Sequence, residues 1–419
     1  MKSEKYIVLL RDQNQQTMKS VEKEFQLKLT SSEFLSSENK SFDIIDDKNG
    51  VLYKNLNVMV ADQMDEEQLV KAMKDEANPI VYFEKERIFH VDTALDLVKD
   101  LQKDMATIQQ KLVELEKNLN VKKPSSPKSK LEYEWGLLEI NLDHSQLTGK
   151  GVDVCIMDTG FDVNHPDFVG RNIEGKSFVE GENWNEDIKG HGTHCAGTAA
   201  GNVRADTGKR YGIAKNSNLK IAKVLNHSGS GKTSSIVDAI DWAITKKYRV
   251  ISMSLSAPVG LNEAPSPIFE MIGQKALDNN CLIIAAAGND SSRPALPQPV
   301  SAPANCQSIM AIAAIDNLMR VAVFSNGGIN ASSGGAINLC APGVDVLSAI
   351  PKTFNNNGYM LKSGTSMATP HVAGVAALYM EKYPHLSAVE IWSFLEKNAK
   401  AIEGMKFRDV GNGLVQIMD

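Results

Sequence analysis

Apolar strand signals alternating with helical ones, from about residue 133 to residue 419, predict an α/β fold: a three-layer structure whose parallel sheet carries helices on both faces. Two further observations complete the architecture. Residues 5 to 91 run through a strand–helix–strand–strand–helix–strand order of their own, and residues 93 to 120 carry an unbroken heptad seam. The expected units are therefore 1–92, a small α+β domain; 93–120, a heptad helix; 121–132, a linker; and 133–419, the large domain. A chain of 419 residues is also too long for one ordinary core.

Each element has its own warrant. In the first unit YIVLL (6–10) reads as a buried strand and QTMKSVEKEF (16–25) as a helix. VLYKNLNVMVAD (51–62) alternates as a strand, DEEQLVKAMKDE (65–76) is an amphipathic helix with acids at its start, and IVYFEKERIF (80–89) closes as a strand. That order is the split βαβ, or ferredoxin-like, arrangement. Val98, Leu101, Met105, Ile108, Leu112, Leu115 and Leu119 fall at alternating gaps of three and four, an a/d seam. VKKPSSPKSK (121–130) then reads as an exposed linker. In the large unit GVDVCIMD, LKIAKVL, YRVISMSL, CLIIAAAG and SIMAIAAI are strand candidates. SSIVDAIDWAITKK, SPIFEMIGQKALDNN and TPHVAGVAALYMEKY are the helical ones.

Bulk properties narrow the function classes. A net charge of −6 supplies no basic field for nucleic acid or membrane surfaces, and no apolar run approaches the ~20 residues of a membrane helix. The opening MKSEKYIVLLRDQNQQ lacks the apolar length and cleavage site of a secretory leader, so the cytoplasm is the expectation. A leader already removed, or another export route, would leave the same text. Five cysteines without close CxxC pairs fit reduced, structural thiols.

In parallel sheets sites form beyond the carboxyl ends of strands, so chemistry is sought there. Asp158 ends GVDVCIMD, although alone it reads as a strand-terminal or capping aspartate. GHGTHCAGTAAG (190–201) offers His191 and His194 at a glycine-flanked helix start, and spacing alone does not rank them. A metal reading through these histidines and Cys195 lacks a fourth ligand and an HExxH motif. SGTSMATPHVAG (363–374) sets Ser366 at a helix N-terminus, where backbone N–H groups and the macrodipole favour developing negative charge. Pro370, just past the first turn, predicts a kink or boundary. In IIAAAGND, Asn289 follows a buried strand and a glycine, and its amide is able to donate to an oxyanion.

Together DTG (158–160), HGTHCAGT (191–198) and GTSMATPHVAG (364–374) resemble the subtilisin (subtilase) family of serine endopeptidases. HGTHC and SGTSMATPHVAG are especially similar to the proteinase K branch. The similarity spans about residues 133 to 419, and Asp…His…Ser is the chain order of subtilisin itself. The rival α/β-hydrolase order fails: Ser366 has alanine two residues on, and His371 and His385 precede the last aspartates, Asp409 and Asp419. The resemblance implies a subtilisin-like fold, with Ser366 as nucleophile, His191 as base and Asp158 orienting it. It implies Asn289 and the Ser366 N–H as oxyanion donors. Polypeptide substrates would be held by main-chain pairing between Gly229, Ser230 and Gly231 on one side and Ser254, Leu255 and Ser256 on the other. Ser256 stands where relatives usually have glycine, which changes the first specificity pocket. No cofactor is implied for the chemistry. Asp167 matches a family ligand for a structural calcium, though the partner loop NVRADTGKRYG is longer than usual and differently composed.

Residues 5 to 91 resemble the subtilase propeptide domain, which implies that the chain carries its own intramolecular inhibitor, with the tail Phe89 to Asp92 lying in the cleft. The heptad helix is an insertion between inhibitor and enzyme. Self-association is its favoured use; packing back on the protein and a plain spacer are the others. A catalytically silent, oligomeric interaction protein on a protease fold is the competing reading, and the intact set Asp158, His191, Asn289 and Ser366 argues against it. A chain lacking residues 93–120 is expected to keep its catalysis but change its oligomeric state, with light scattering as the check; an unchanged mass in solution removes the assembly role.

Overall fold

The computed structural model describes residues 4–37, 49–91 and 132–418; the heptad seam and the linker up to residue 131 lie outside them. The N-terminal sheet comprises β1 (Lys5–Leu10), β2 (Lys28–Ser31), β3 (Asn49–Tyr53), β4 (Val58–Asp62) and β5 (Ile80–Lys85), in the order β2-β3-β4-β1-β5. Its four strands β3-β4-β1-β5 pair antiparallel as a split βαβ sheet, and β2 adds a parallel edge. Side chains alternate faces with a period of two. Tyr6, Val8, Leu10, Met59 and Ala61 pack under Met18, Val21, Leu69 and Ala72 from the helices Gln15–Phe25 and Glu66–Lys74. Ile7, Leu9, Val58 and Val60 join the core of the large domain instead. YIVLL is apolar throughout because both its faces are covered.

Two expected strands are each broken in two. VLYKNLNVMVAD turns back on itself between β3 and β4, with Asn57 at φ 54° and Leu56 N–H bonded to Tyr53 O at 3.1 Å. An asparagine tolerates that left-handed conformation, so one alternating run becomes a hairpin. IVYFEKERIF leaves the sheet after Lys85, and β6 (Ile88–His90) pairs with the large domain.

That domain is built on β7 (Asp153–Asp158), β8 (Glu174–Ser177), β9 (Asn218–Lys223), β11 (Val250–Met253), β12 (Leu282–Ala286), β13 (Met310–Ile315) and β14 (Leu339–Pro342), with β10 (Ser230–Lys232) outside the sheet. The order is β14-β13-β12-β11-β7-β9-β8, with each neighbouring pair parallel. The edge strands β8 and β14, too short for a branched apolar run, were not legible in the sequence. From β7 the sheet grows one way to β9 and β8 and the other way through β11, so the chain order reverses beside β7. A crevice opens at the carboxyl ends there. No helix among the described residues is long and apolar enough to cross a membrane.

Two buried helices, His191–Ala200 and Thr365–Lys382, pack against each other over this crevice. The second runs through Pro370 without the expected boundary. Proline removes the bond to the carbonyl four residues back, which here is Ser366 O. That oxygen is satisfied from outside the helix, by Ser254 Oγ at 2.9 Å and by the Cys195 thiol at 3.5 Å.

The first helix comes so close to the end of β7 that a methyl at Gly192 would overlap the Gly160 carbonyl oxygen and lie 3.2 Å from Asp158 Cβ. Alanine's better helix propensity is worth only about 1 kcal/mol. Backbone in the way cannot swing aside, so overpacking wins, at about 1–3 kcal/mol. Gly192→Ala is expected to lower stability by roughly that amount, read from the midpoint of denaturant unfolding.

Candidate active site

Three neighbouring strand ends deliver the polar groups. Asp158 closes β7; Ser254, Leu255 and Ser256 follow β11; Gly288 and Asn289 follow β12. Asp158 and His191 are both almost wholly buried. The imidazole Nδ1–H donates to both carboxylate oxygens, at 2.7 and 2.9 Å, and Asp158 Oδ1 also accepts the Thr159 N–H at 2.7 Å. Saturating the carboxylate in this way is what makes its burial tolerable.

The structure separates the two histidines that spacing left equal. His194 sits one turn further along the helix, and its Nε2 meets the carbonyls of Val346 and Met360, at 3.1 and 3.0 Å, on a hairpin of β15 (Val346–Ala349) and β16 (Tyr359–Lys362). Burial drives its pKa well below the usual histidine value, so it stays neutral and ties helix to hairpin. His371 is likewise neutral, with burial lowering it to about 4 and its Nδ1 on Met367 O. Only His191 faces a carboxylate in hydrogen-bond contact among these three.

Ser366 is the second residue of its helix and fully buried. Its hydroxyl donates to Ser254 O at 3.3 Å. It does not reach His191 Nε2, which has no hydrogen-bond partner among the described residues. Cys195 links the two neighbourhoods from below, with Sγ 3.7 Å from His191 Nδ1 and 3.5 Å from Ser366 O. Asp158, His191 and Cys195 do bring three ligand-type atoms within 4.8 Å. Burial raises the Cys195 thiol well above its ordinary range, so it stays protonated, and Nδ1 is already committed to Asp158. That chemistry suits a hydrogen-bonded pair over a neutral thiol rather than a metal.

Asn289 is anchored by its oxygen, which accepts the N–H and hydroxyl of Thr365 at 2.8 and 3.0 Å. The amide plane is therefore fixed against the residue before Ser366. Among the expected substrate segments, Gly229 O accepts Val91 N–H at 2.8 Å, β10 pairs antiparallel with β6 through Ser230 and Gly231, and Ser256 exchanges both main-chain bonds with His90 at 2.9 and 3.0 Å. Leu255 packs into the core, and Ser254 braces Ser366. The chain's own segment Ile88–Val91 thus lies extended between the two edges. Asp167 accepts hydrogen bonds from Tyr211 at 2.7 Å and Tyr359 at 2.8 Å, and Tyr359 Oη also accepts the Ala205 N–H of the neighbouring loop. No group of three carboxylate, imidazole or thiol ligands gathers there among the described residues.

One residue escaped sequence reasoning. Asp187 is buried ahead of the His191 helix and accepts from Gly190 N–H (2.8 Å), Thr193 N–H (2.8 Å), Thr193 Oγ1 (2.7 Å) and Thr159 Oγ1 (2.7 Å). It caps the helix and clamps it to the residue after Asp158. An acid three residues before the glycine of GHGTH was the available signal.

The chain is similar to known proteins in sequence and in fold. The family model described as Subtilase family matches residues 149–413. The chain is 40% identical to subtilisin DY of Bacillus licheniformis over 286 residues, which cover 68% of this chain and 96% of that protein. It is 34% identical over 336 residues to a thermostable alkaline protease of Halalkalibacterium halodurans, covering 80% of this chain and 82% of the relative. The crystal structure of a cold-adapted subtilisin-like serine proteinase matches with a TM-score of 0.58 and 31% identity, over 69% of this chain and all of that one. With a parallel sheet, a buried acid–imidazole pair and a helix-terminal serine, the chain belongs to the subtilase family of subtilisin-like serine proteases.

Proposed function

We propose that the protein is a serine endopeptidase of this family, made with an N-terminal inhibitory domain that fills its cleft. The buried pair of His191 Nδ1 and Asp158 at 2.7 Å, opposite a serine at a helix N-terminus, carries the catalytic part. Ser366 Oγ attacks a peptide carbonyl; His191 Nε2 takes its proton and returns it to the leaving amine, giving an acyl-enzyme that water hydrolyses. Asp158 holds the tautomer with Nδ1 protonated and stabilises the imidazolium. The Asn289 amide and the Ser366 N–H receive the oxyanion; in subtilisin itself, losing the equivalent side-chain donor costs about 10²–10³ in turnover. Rotation of Ser366 about χ1 moves its hydroxyl off Ser254 O, and such bonds commonly tighten only with substrate present. HGTHC and SGTSMATPHVAG favour the proteinase K branch within the family.

The inhibitory role of residues 1–92 is supported by occupancy of the substrate edges. Main-chain pairing along Ile88–Val91 is what an extended peptide would make, and Phe89 is fully buried against Phe269 at 5.6 Å between ring centres. Beyond the cleft, Glu86 accepts from the Ser234 hydroxyl and its N–H at the start of the helix Thr233–Thr245, and Glu84 from the Ser266 hydroxyl at the cap of Pro267–Asp278. Negative charge at helix N-termini is favourable, so this contact is matched in charge as well as shape. Ser32 and Asn55 close a third contact on Asp241, at 2.7 and 3.0 Å. Calcium at Asp167 is not part of the proposal, because hydroxyl donors rather than further oxygen ligands surround that carboxylate.

The bond from Ser366 to Ser254 is what favours the alternative, a catalytically silent interaction protein. A fluorophosphonate probe separates the two. It is expected to label wild type and to leave Ser366→Ala unmarked; a wild type freed of its first 92 residues and still unlabelled ends the hydrolase reading. Phe89→Asp in the full chain, which would bury an unpaired carboxylate, is expected to speed labelling about tenfold or more by loosening the inhibitor. Equal labelling rates would remove the inhibitory role.

A further inference from the structure

Two lysines stand beside the start of the His191 helix. Lys362 ends β16, four residues before Ser366, and its ammonium donates to the carbonyl of Gly190, the residue preceding His191, at 3.3 Å. Lys189 precedes that glycine, and its Cε lies 3.3 Å from the point a Cβ on Gly229 would occupy, where Val91 Cγ2 is also only 2.6 Å away. Neither lysine has a carboxylate within ion-pair distance among the described residues. The nearby acids are already committed: Asp158 to His191 and the Thr159 N–H, Asp187 to four donors. Burial pushes the Lys362 ammonium below its ordinary value; Asp187 and Asp158 oppose this, and Lys189 adds like-charge repulsion. Neither ammonium has given its hydrogens to a carboxylate, so both remain able to donate to one.

Both adjoin Gly190, the residue before His191. The hydrogen bonds of Ile88–Val91 run to residues 229–232 and 256 and not to the β15–β16 hairpin. Lys189 and Val91 both stand against Gly229, at the occupied edge of the cleft. Lys362, on the hairpin, makes no hydrogen bond to that segment among the described residues and reaches the Gly190 carbonyl instead. Across the cleft, Asp290 is held by Ser301 and Asn326, at 3.1 and 2.9 Å.

We propose that Lys189 and Lys362 form a cationic clamp that selects polypeptides bearing Asp or Glu within a residue or two of the cleaved bond. This rests on the protease reading above and assigns its substrate class. The chain's own sequence after Val91 is complementary: Asp92-Thr93-Ala94-Leu95-Asp96 carries two carboxylates and no base.

The test uses internally quenched peptides that differ only in acidic, amide or basic residues on either side of the cut. Wild type is expected to prefer the acidic over the basic peptide by about tenfold or more in kcat/KM, with the ratio shrinking as salt rises. Lys362→Glu is expected to invert the preference, and Lys362→Gln, which keeps a donor for Gly190, to flatten it. A wild type labelled by fluorophosphonate yet indifferent to peptide charge overturns the clamp alone. A Lys362→Glu ratio equal to that of wild type does so too. A wild type that is neither labelled nor able to cleave any of the peptides overturns the protease reading with it.

Discussion

The hydrogen bond between His191 and Asp158 depends on two stretches of backbone approaching more closely than side chains permit. Gly160, at φ +115°, and Gly192 meet between the end of β7 and the start of the histidine helix. A Cβ on Gly192 would overlap the Gly160 carbonyl oxygen and push helix from strand, and one on Gly160 would overlap the Glu186 carbonyl oxygen on its other side. Asp187 then locks what the glycines allow, because its four hydrogen bonds join the helix start to Thr159. A buried carboxylate so fully satisfied adds rigidity instead of a desolvation penalty. The orientation of the imidazole follows from this clamp.

The same economy of polar groups governs the serine side. Pro370 would leave the Ser366 carbonyl without its helical partner, and Ser254 and Cys195 supply donors from β11 and from the histidine helix. The helix defect therefore becomes a joint that ties three elements together at the crevice. Asn289 extends the joint to β12 through Thr365. All these groups stand at the carboxyl ends of adjacent parallel strands, where a sheet buried on both faces has its polar outlet.

Main-chain edges at the cleft have unspent hydrogen-bonding capacity, and an extended segment satisfies it with little regard for side chains. Here Ile88–Val91 does so, and the N-terminal sheet is anchored beside it by its apolar inner face and by carboxylates at two helix starts. Because Ile7, Leu9, Val58 and Val60 share the core of the large domain, that contact resembles a domain interior more than a transient encounter.

The parallel sheet, most of its central strands and the split βαβ unit were legible in the sequence, because period-two and period-3.6 patterns are local consequences of burial. Asp158, His191, Asn289 and Ser366 were legible as motif residues at strand ends and helix starts. The hairpin inside VLYKNLNVMVAD, the departure of Ile88–His90 from its strand and the edge strands β8 and β14 were not. In each case a long-range partner, not the local pattern, decides the backbone. Asp187, and the carbonyl of Ser366 that Pro370 leaves to Ser254, are of the same kind. Local sequence determined which residues have the chemistry and which segments are buried. Tertiary structure alone decided which buried polar group meets which, since that pairing is set by the packing of elements distant along the chain, where each desolvated donor and acceptor must find its match.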